Sequence, residues 1–491
     1  MQSTKSLFKK KTTPFIISFV IIFMHLSIFL YSADAEPLST ETKTDVIIVG
    51  AGLSGLTTAY KLKKAGISFK ILELTPRVGG RARTAKYQDG IKVEAGLAEF
   101  WESNPAVEII KELKLPYHSS LTFSSTVLNG KLYPFTQETN QEFLKFLFNP
   151  KEKAALDKWS AQMMKYFHQI KDKKIDKYLW SLQNISLADW IKKNSGLSQK
   201  AQEWVRVTLE VEIGTTWDAI SALDGIAEWH IFAGKGDAPY ELENGNETLI
   251  EAMADHVGRE NIGLGMQVIR FKNLSDGVEV EAMDTATFKH YIYKSKYAVS
   301  TMPLFRLAEL QFDPPLSKER QEAINTQLWG SYFTAHVFFD PAASKYWTNK
   351  SGAHLLPILS DSTLGVIYSA TSAKKEGPVI VNLLITGPNA ERFNFRAILF
   401  EQVRKELNEA FEKFWPGSSK YIQKYDFYRY HPRAIASWPV GRSRFDKLSE
   451  EMRKPQGRIY FAGDFTESSH SDGAVYSAMR VVNQIKAREK K

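Results

Sequence analysis

The chain has 491 residues, 43% apolar and 24% charged, with a net charge of +9 and no cysteine. That length exceeds one simple core, so two domains are expected. The lack of cysteine excludes disulfides, thiolate catalysis and cysteine metal sites. The basic residues are dispersed and not interleaved with aromatics, which argues against nucleic-acid binding.

Residues 1–35 read as a targeting segment. Lys5, Lys9, Lys10 and Lys11 give a basic start, residues 14–32 an apolar stretch, and Ala33-Asp34-Ala35 a small-x-small cleavage site. Export to a secreted or periplasmic location is expected. The alternative is an uncleaved anchor, and membrane contact follows only if residues 14–32 are kept.

Residues 45–84 organise the rest. An apolar run, Asp45 to Val49, meets Gly50, Gly52 and Gly55, a G-x-G-x-x-G spacing. A helical pattern follows, then a second apolar run from Phe69 ending in Glu73. Strand, glycine turn, helix, strand and acid make one βαβ nucleotide-binding unit. Gly50 permits the turn, Gly52 lets backbone approach a pyrophosphate, and Gly55 lets helix pack on strand. Leu53, Ser54 and Gly55 open the helix, whose free N–H groups and positive dipole end suit phosphate. Glu73 lies where a carboxylate accepts from a ribose 2′-OH, which disfavours a 2′-phosphate.

The extension Thr75-Pro76-Arg77-Val78-Gly79-Gly80-Arg81-Ala82-Arg83-Thr84 resembles part of the flavin amine oxidase signature, roughly E-A-R-x-R-V-G-G-R-x-x-T. Thr75 stands where that family has its first arginine. The resemblance implies FAD, with Arg77, Gly79, Gly80 and Arg81 at the cofactor and Arg81 near the pyrophosphate. Gly96, Ala98, Glu99 and Phe100 fall where the family runs a loop beside the flavin, with Leu97 in place of a second small residue. Asn104-Pro105 starts an amphipathic helix.

A hairpin is expected around Asn129-Gly130. Residues 137–232 are helical in pattern and rich in aromatics. A helix should end near Val257, followed by the strand IGLGMQVIRF, in which Val268 matches the family valine whose backbone meets the adenine. Two more strands lead to Ser300-Thr301-Met302-Pro303. Residues 304–440 read as a mixed sheet with one long helix over 389–414. Near the end, Gly463-Asp464 and then Gly473-Ala474-Val475 resemble the family's closing motif. The resemblance implies Asp464 near the ribityl or pyrophosphate, and a helix from Gly473 aimed at the flavin N1–C2=O edge.

The fold expected is α/β, a discontinuous Rossmann-like FAD-binding domain plus a mixed sheet and helical substrate domain. The first is assigned to 36–120, 236–302 and 441–491. The second is assigned to 121–235, mainly helical, and 303–440. The histidines show no metal-site spacing, so no metal is expected.

The resemblance implies oxidation of a C–N bond in a small amine or amino acid, giving an imine, with O2 as acceptor and H2O2 as product. This chain departs from the family at the substrate side. The family lysine position is Thr334. The two aromatic-cage positions fall near His470 and near Gly441-Arg442-Ser443, with Trp438 close by. His470 is the candidate proton carrier. Arg442 is the candidate clamp for a substrate carboxylate. Two rivals stay open: a desaturase or porphyrinogen-type oxidase acting on C–C bonds, and a non-redox FAD-bound isomerase or binding module.

Overall fold

The computed structural model describes residues 38–119, 125–136, 140–172, 174–233, 239–349, 354–369, 379–429 and 431–490. The expected targeting segment lies outside them. Among the described residues no helix is long and apolar enough to cross a membrane.

One sheet carries the nucleotide unit. Its central strand, Leu38–Val49, runs parallel to Phe69–Glu73 on one side and His290–Ser300 on the other, with Ile48 opposite Ile71 and Val299. Val46, Ile47 and Ile48 are fully buried, because both faces of this parallel core are covered. The helices Leu53–Lys64, Ala106–Glu112, Glu247–Val257 and Ser471–Glu489 cover one face. Ile459–Phe461 joins in parallel with His290–Ser300, bringing the C-terminal motif to the sheet.

Three expectations are corrected here. The strand IGLGMQVIRF is two strands, Ile262–Leu264 and Met266–Asn273, parted at Gly265, whose φ is +71°. The first pairs with Phe69–Glu73 and the second with Val278–Asp284, so the chain must change direction at a residue without a side chain. Gln311–Asp313, inside the stretch assigned to the substrate domain, pairs in parallel with Met266–Asn273 and so extends the nucleotide sheet. The long helix over 389–414 is two helices, Gly387–Asn394 and Phe400–Phe414. Asn394 Nδ2 donates to Ser331 Oγ at 3.0 Å and to the Tyr332 carbonyl at 2.9 Å, which ties the first helix end to the sheet beneath.

The second sheet runs Ile422–Tyr428, Tyr332–Phe339, Val379–Thr386, Val366–Ser369, Ile358–Ser360, Ser125–Leu128, Lys131–Tyr133. Asn129 and Gly130 turn the last hairpin with φ of 50° and 70°. Phe393, Val403, Leu407 and Phe411 pack on one face. The helical block, including Gln199–Ile213 and Ala222–Ala233, packs on the other through Leu359 and Val366. Two stretches inserted between nucleotide strands, residues 125–133 and 332–428, thus build one substrate-side layer.

Candidate active site

The glycine turn is held by close contacts. Gly50 has φ +106° and its N–H donates to the Leu72 carbonyl at 2.8 Å. A Cβ on Gly55 would lie 1.9 Å from the Gly50 carbonyl oxygen, so only glycine allows this approach. Gly52 differs. A Cβ there would meet nothing within 4 Å. It caps the helix Leu53–Lys64 in extended conformation, without a side-chain cap and with no acid in the first turn. The first helical bond is Leu56 N–H to the Gly52 carbonyl, at 2.9 Å. The N–H groups of Leu53, Ser54 and Gly55 are therefore left without helix partners beside the open space at Gly52, donors of the kind a pyrophosphate accepts from.

Glu73 braces this turn. Its Oε2 accepts from the Ala51 N–H at 2.7 Å, and its Oε1 from the Thr75 N–H at 2.9 Å. Carboxylate lone pairs remain for a ribose hydroxyl. Arg77 folds onto its own turn, donating to the carbonyls of Val78 at 2.9 Å and Gly80 at 2.6 Å, so it shapes the loop and points its donors away from a ligand. Gly79 N–H donates to the Ala51 carbonyl at 2.8 Å, laying the second motif on the first.

Arg81 reaches across the chain. Its Nη1 and Nη2 meet Asp464 Oδ2 and Oδ1 at 2.7 and 2.8 Å. Asp464 is 3% exposed and Arg81 41%, so the guanidinium keeps an open face. Ser477 closes the same junction. Its Oγ accepts from the Gly463 N–H at 2.8 Å and lies 3.3 Å from Ser54 Oγ.

The flavin-side loop passes under Arg81, where a Cβ on Gly96 would lie 1.9 Å from the Arg81 carbonyl. Asn246 Nδ2 donates to the carbonyls of Leu97 and Ala98 at 3.1 and 2.7 Å, and Phe100 is buried. Val268 is buried beside Ala282, next to a bulge in the strand pair. The C-terminal helix starts at Ser471, with His470 as N-cap, two residues earlier than expected. Gly473 is needed there because a Cβ would lie 2.2 Å from the Ser468 carbonyl. Ala474 and Val475 are buried behind it.

Arg442, the candidate carboxylate clamp, is turned into the protein. Its Nε meets Asp446 Oδ2 at 2.6 Å, its Nη1 donates to Thr326 Oγ1, and its Nη2 to Ser449 Oγ at 3.4 Å. Three of its five N–H donors go to the protein and the side chain is buried, so it packs as a structural residue. Trp438 is also spent inside, 1% exposed with Nε1 donating to Ser449 Oγ at 3.0 Å. Thr334 Oγ1 donates to the Ala95 carbonyl at 3.4 Å.

His470 is paired. Its Nε2 lies 2.9 Å from Glu228 Oε2. Burial alone would push the imidazole down, but the Glu228 charge and hydrogen bond outweigh it and bring it up to about 9. Glu212 and Glu99 are the other acids of this region. Both are half-buried. Burial pushes Glu99 up to about 8, helped by Glu212 and Glu241. Burial also pushes Glu212 up, against the His470 charge. Tyr332 Oη donates to the Glu212 carbonyl at 2.7 Å, between the Arg81 side and the His470 side.

Sequence reasoning missed Glu212, Glu228, Asp224 and Arg444. A signal was present. Asp224 and Glu228 stand at i and i+4 on a largely apolar helix, ALDGIAEWHIFA, where acids without a buried purpose are costly.

A glycine-opened helix start, an Arg–Asp pair at its back and a second helix start tied in through Ser477 make up a dinucleotide-binding site. The family described as flavin containing amine oxidoreductase matches residues 53–486, and the chain belongs to it. FAD is the cofactor of this family, and the open helix start described above fits it. The chain is 24% identical over 482 residues to the flavin-containing amine oxidase B of Sus scrofa, spanning 90% of this chain and 86% of that one. It is 24% identical over 468 residues to an L-amino-acid oxidase of Vipera ammodytes ammodytes, spanning 91% and 93%. Among solved structures, putrescine oxidase bound to putrescine superposes with a TM-score of 0.75 at 19% identity, covering 91% of this chain and 100% of that one. Cyclohexylamine oxidase from Brevibacterium oxydans gives 0.73 at 17% identity, covering 92% and 100%. These two likenesses concern the fold, a Rossmann-like FAD-binding part with a second mixed part.

Proposed function

We propose that the chain oxidises the C–N bond of a small amine, giving an imine, with O2 as final acceptor and H2O2 as product. FAD, when bound, supplies the two-electron acceptor. The observation that carries the amine reading is the pair of desolvated acids Glu99 and Glu212, in which the Glu212 charge adds to the cost of ionising Glu99, with Glu212 also facing His470. A substrate ammonium offsets the cost of ionising them, whereas a substrate carboxylate adds to it. Burial holds Glu99 largely protonated at neutral pH, and a substrate ammonium beside it would favour the ionised form, in which it can take a proton from the nitrogen and free the lone pair. The commitment of Arg442 to Asp446 removes the residue that favoured an amino acid.

One observation favours a second reading. Thr334 occupies the place where the family sets a lysine, which suits C–C desaturation. The test is a panel of monoamines, diamines, amino acids, a polyene and a porphyrinogen. Anaerobic bleaching near 450 nm and H2O2 release are followed for each. Bleaching by amines supports the proposal. Bleaching only by the polyene or porphyrinogen selects the second reading, and bleaching by none of them selects a non-redox role.

A further inference from the structure

We propose that Glu228 is a positioning residue that locks His470 as an imidazolium at the start of the helix Ser471–Glu489, where it presents a fixed positive charge to the cofactor. The inference deepens the flavin-site reading and rests on it.

Four side chains form a row of alternating charge. Asp224 Oδ1 and Oδ2 accept from Arg444 Nε and Nη2 at 2.7 and 3.1 Å. Arg444 Nη2 also donates to Glu228 Oε1, and Ser469 Oγ donates to the same oxygen at 2.6 Å. Glu228 Oε2 is left to His470 Nε2, at 2.9 Å. The side chains of Asp224, Arg444 and Glu228 are 1%, 4% and 0% exposed, while that of His470 is 18% exposed. His470 is therefore the open end of the row.

Charge counting gives its state. Asp224, Arg444 and Glu228 sum to one negative charge in a water-poor interior. A neutral imidazole would leave that charge uncompensated, and a protonated one closes the row. The other charged groups around His470 are Glu212, from the helix Gln199–Ile213, and Asp472, in its own first turn. Both favour the cation. Asp472 is held by Ser468 Oγ at 2.6 Å. Arg444 stands beyond Glu228, and Tyr332 faces Glu228 and Glu212. The His470 ring makes no hydrogen bond to the helix N–H groups, so their partial positive charge adds to that of the imidazolium.

A locked cation does not shuttle protons near neutral pH. This replaces the proton-carrier role given to His470. Its effect falls on the electron-rich reduced cofactor, which a nearby positive charge favours over the oxidised form.

The test uses the FAD-loaded protein and a redox dye, with no amine present, so it stands whether or not amines are substrates. Glu228→Gln and His470→Gln should each move the oxidised-to-reduced ratio at least tenfold toward oxidised, about 30 mV for a two-electron couple. Retained FAD with an unmoved ratio in both variants would overturn the proposal. Histidine-labelled wild-type protein gives an independent reading by NMR, with the His470→Gln spectrum as assignment. The His470 ring should stay protonated to about pH 9. A titration midpoint below pH 7 overturns the lock, even where a variant fails to fold.

Discussion

Arg81 and Asp464, from opposite ends of the chain, meet as a two-pronged ion pair at 2.7 and 2.8 Å. The buried partner is Asp464, while Arg81 stays partly exposed and its Nη1 also donates to the Ala434 carbonyl. Asp464 thus sets the angle of a guanidinium that the glycine turn alone does not orient. Asp464→Asn keeps the shape and removes the charge. It is expected to weaken FAD binding by about 2 kcal/mol, roughly thirtyfold, the scale of a hydrogen bond to a charged group. Titration of the apoprotein with FAD, followed by flavin fluorescence, measures it. Unchanged affinity would mean that Asp464 serves the fold alone.

The two glycines of the turn separate cofactor from fold. At Gly55 an added methyl strikes the Gly50 carbonyl, so Gly55→Ala should lower the melting temperature of the apoprotein by several degrees. At Gly52 the methyl meets no protein atom, and φ is −80°. Gly52→Ala should leave the apoprotein at least as stable as wild type, since it restricts the unfolded chain. It should nevertheless lose the yellow colour, because the methyl occupies the phosphate cradle. A Gly52→Ala protein that stays fully yellow would count against the cradle.

The nucleotide half was legible because glycine has few alternatives in tight turns. Gly50, Gly55, Gly79 and Gly80 each answer a backbone demand, Gly52 leaves open space at the helix start, and spacing reveals such a pattern. The substrate half was not legible for the opposite reason. Arg442 reads as a clamp until Asp446, four residues on, is seen to hold it. The partner of His470 is also out of sight in sequence, since Glu228 stands 242 residues away. Side-chain pairing over such distances leaves no periodicity in sequence. The break in the helix over 389–414 was hidden likewise, since Asn394 bonds to another segment, at Ser331 and Tyr332.

Removing Arg442 should cost stability and spare recognition. Arg442→Ala leaves Asp446 buried with only the N–H groups of Ser443 and Ser449, at 3.0 and 2.7 Å. A loss of about 3 kcal/mol in unfolding free energy is expected, as for other broken buried pairs. The ratio of KM values for an amino acid and the matching amine should not change. A selective rise in the amino-acid KM would restore the clamp.

The buried titrating groups give the apoprotein a directional pH response. Glu99 sits near 8 when folded against an ordinary 4.5, and His470 near 9 against 6.5. Both folded values are raised, so each group's contribution is complete below its unfolded value and is lost as pH climbs through its folded one. Glu228 is held below the carboxylate range, so its contribution is complete throughout neutral and alkaline pH. The melting temperature should therefore fall between pH 6 and pH 9.5, with the Glu99 share lost by about pH 8 and the His470 share by about pH 9. Glu99→Gln removes the first share and should flatten the curve between pH 6 and pH 8 by roughly 2 °C, leaving the later fall in place. Calorimetry of the two apoproteins across this range checks it. An equal slope in both would show that the Glu99 carboxyl is solvated in the native state.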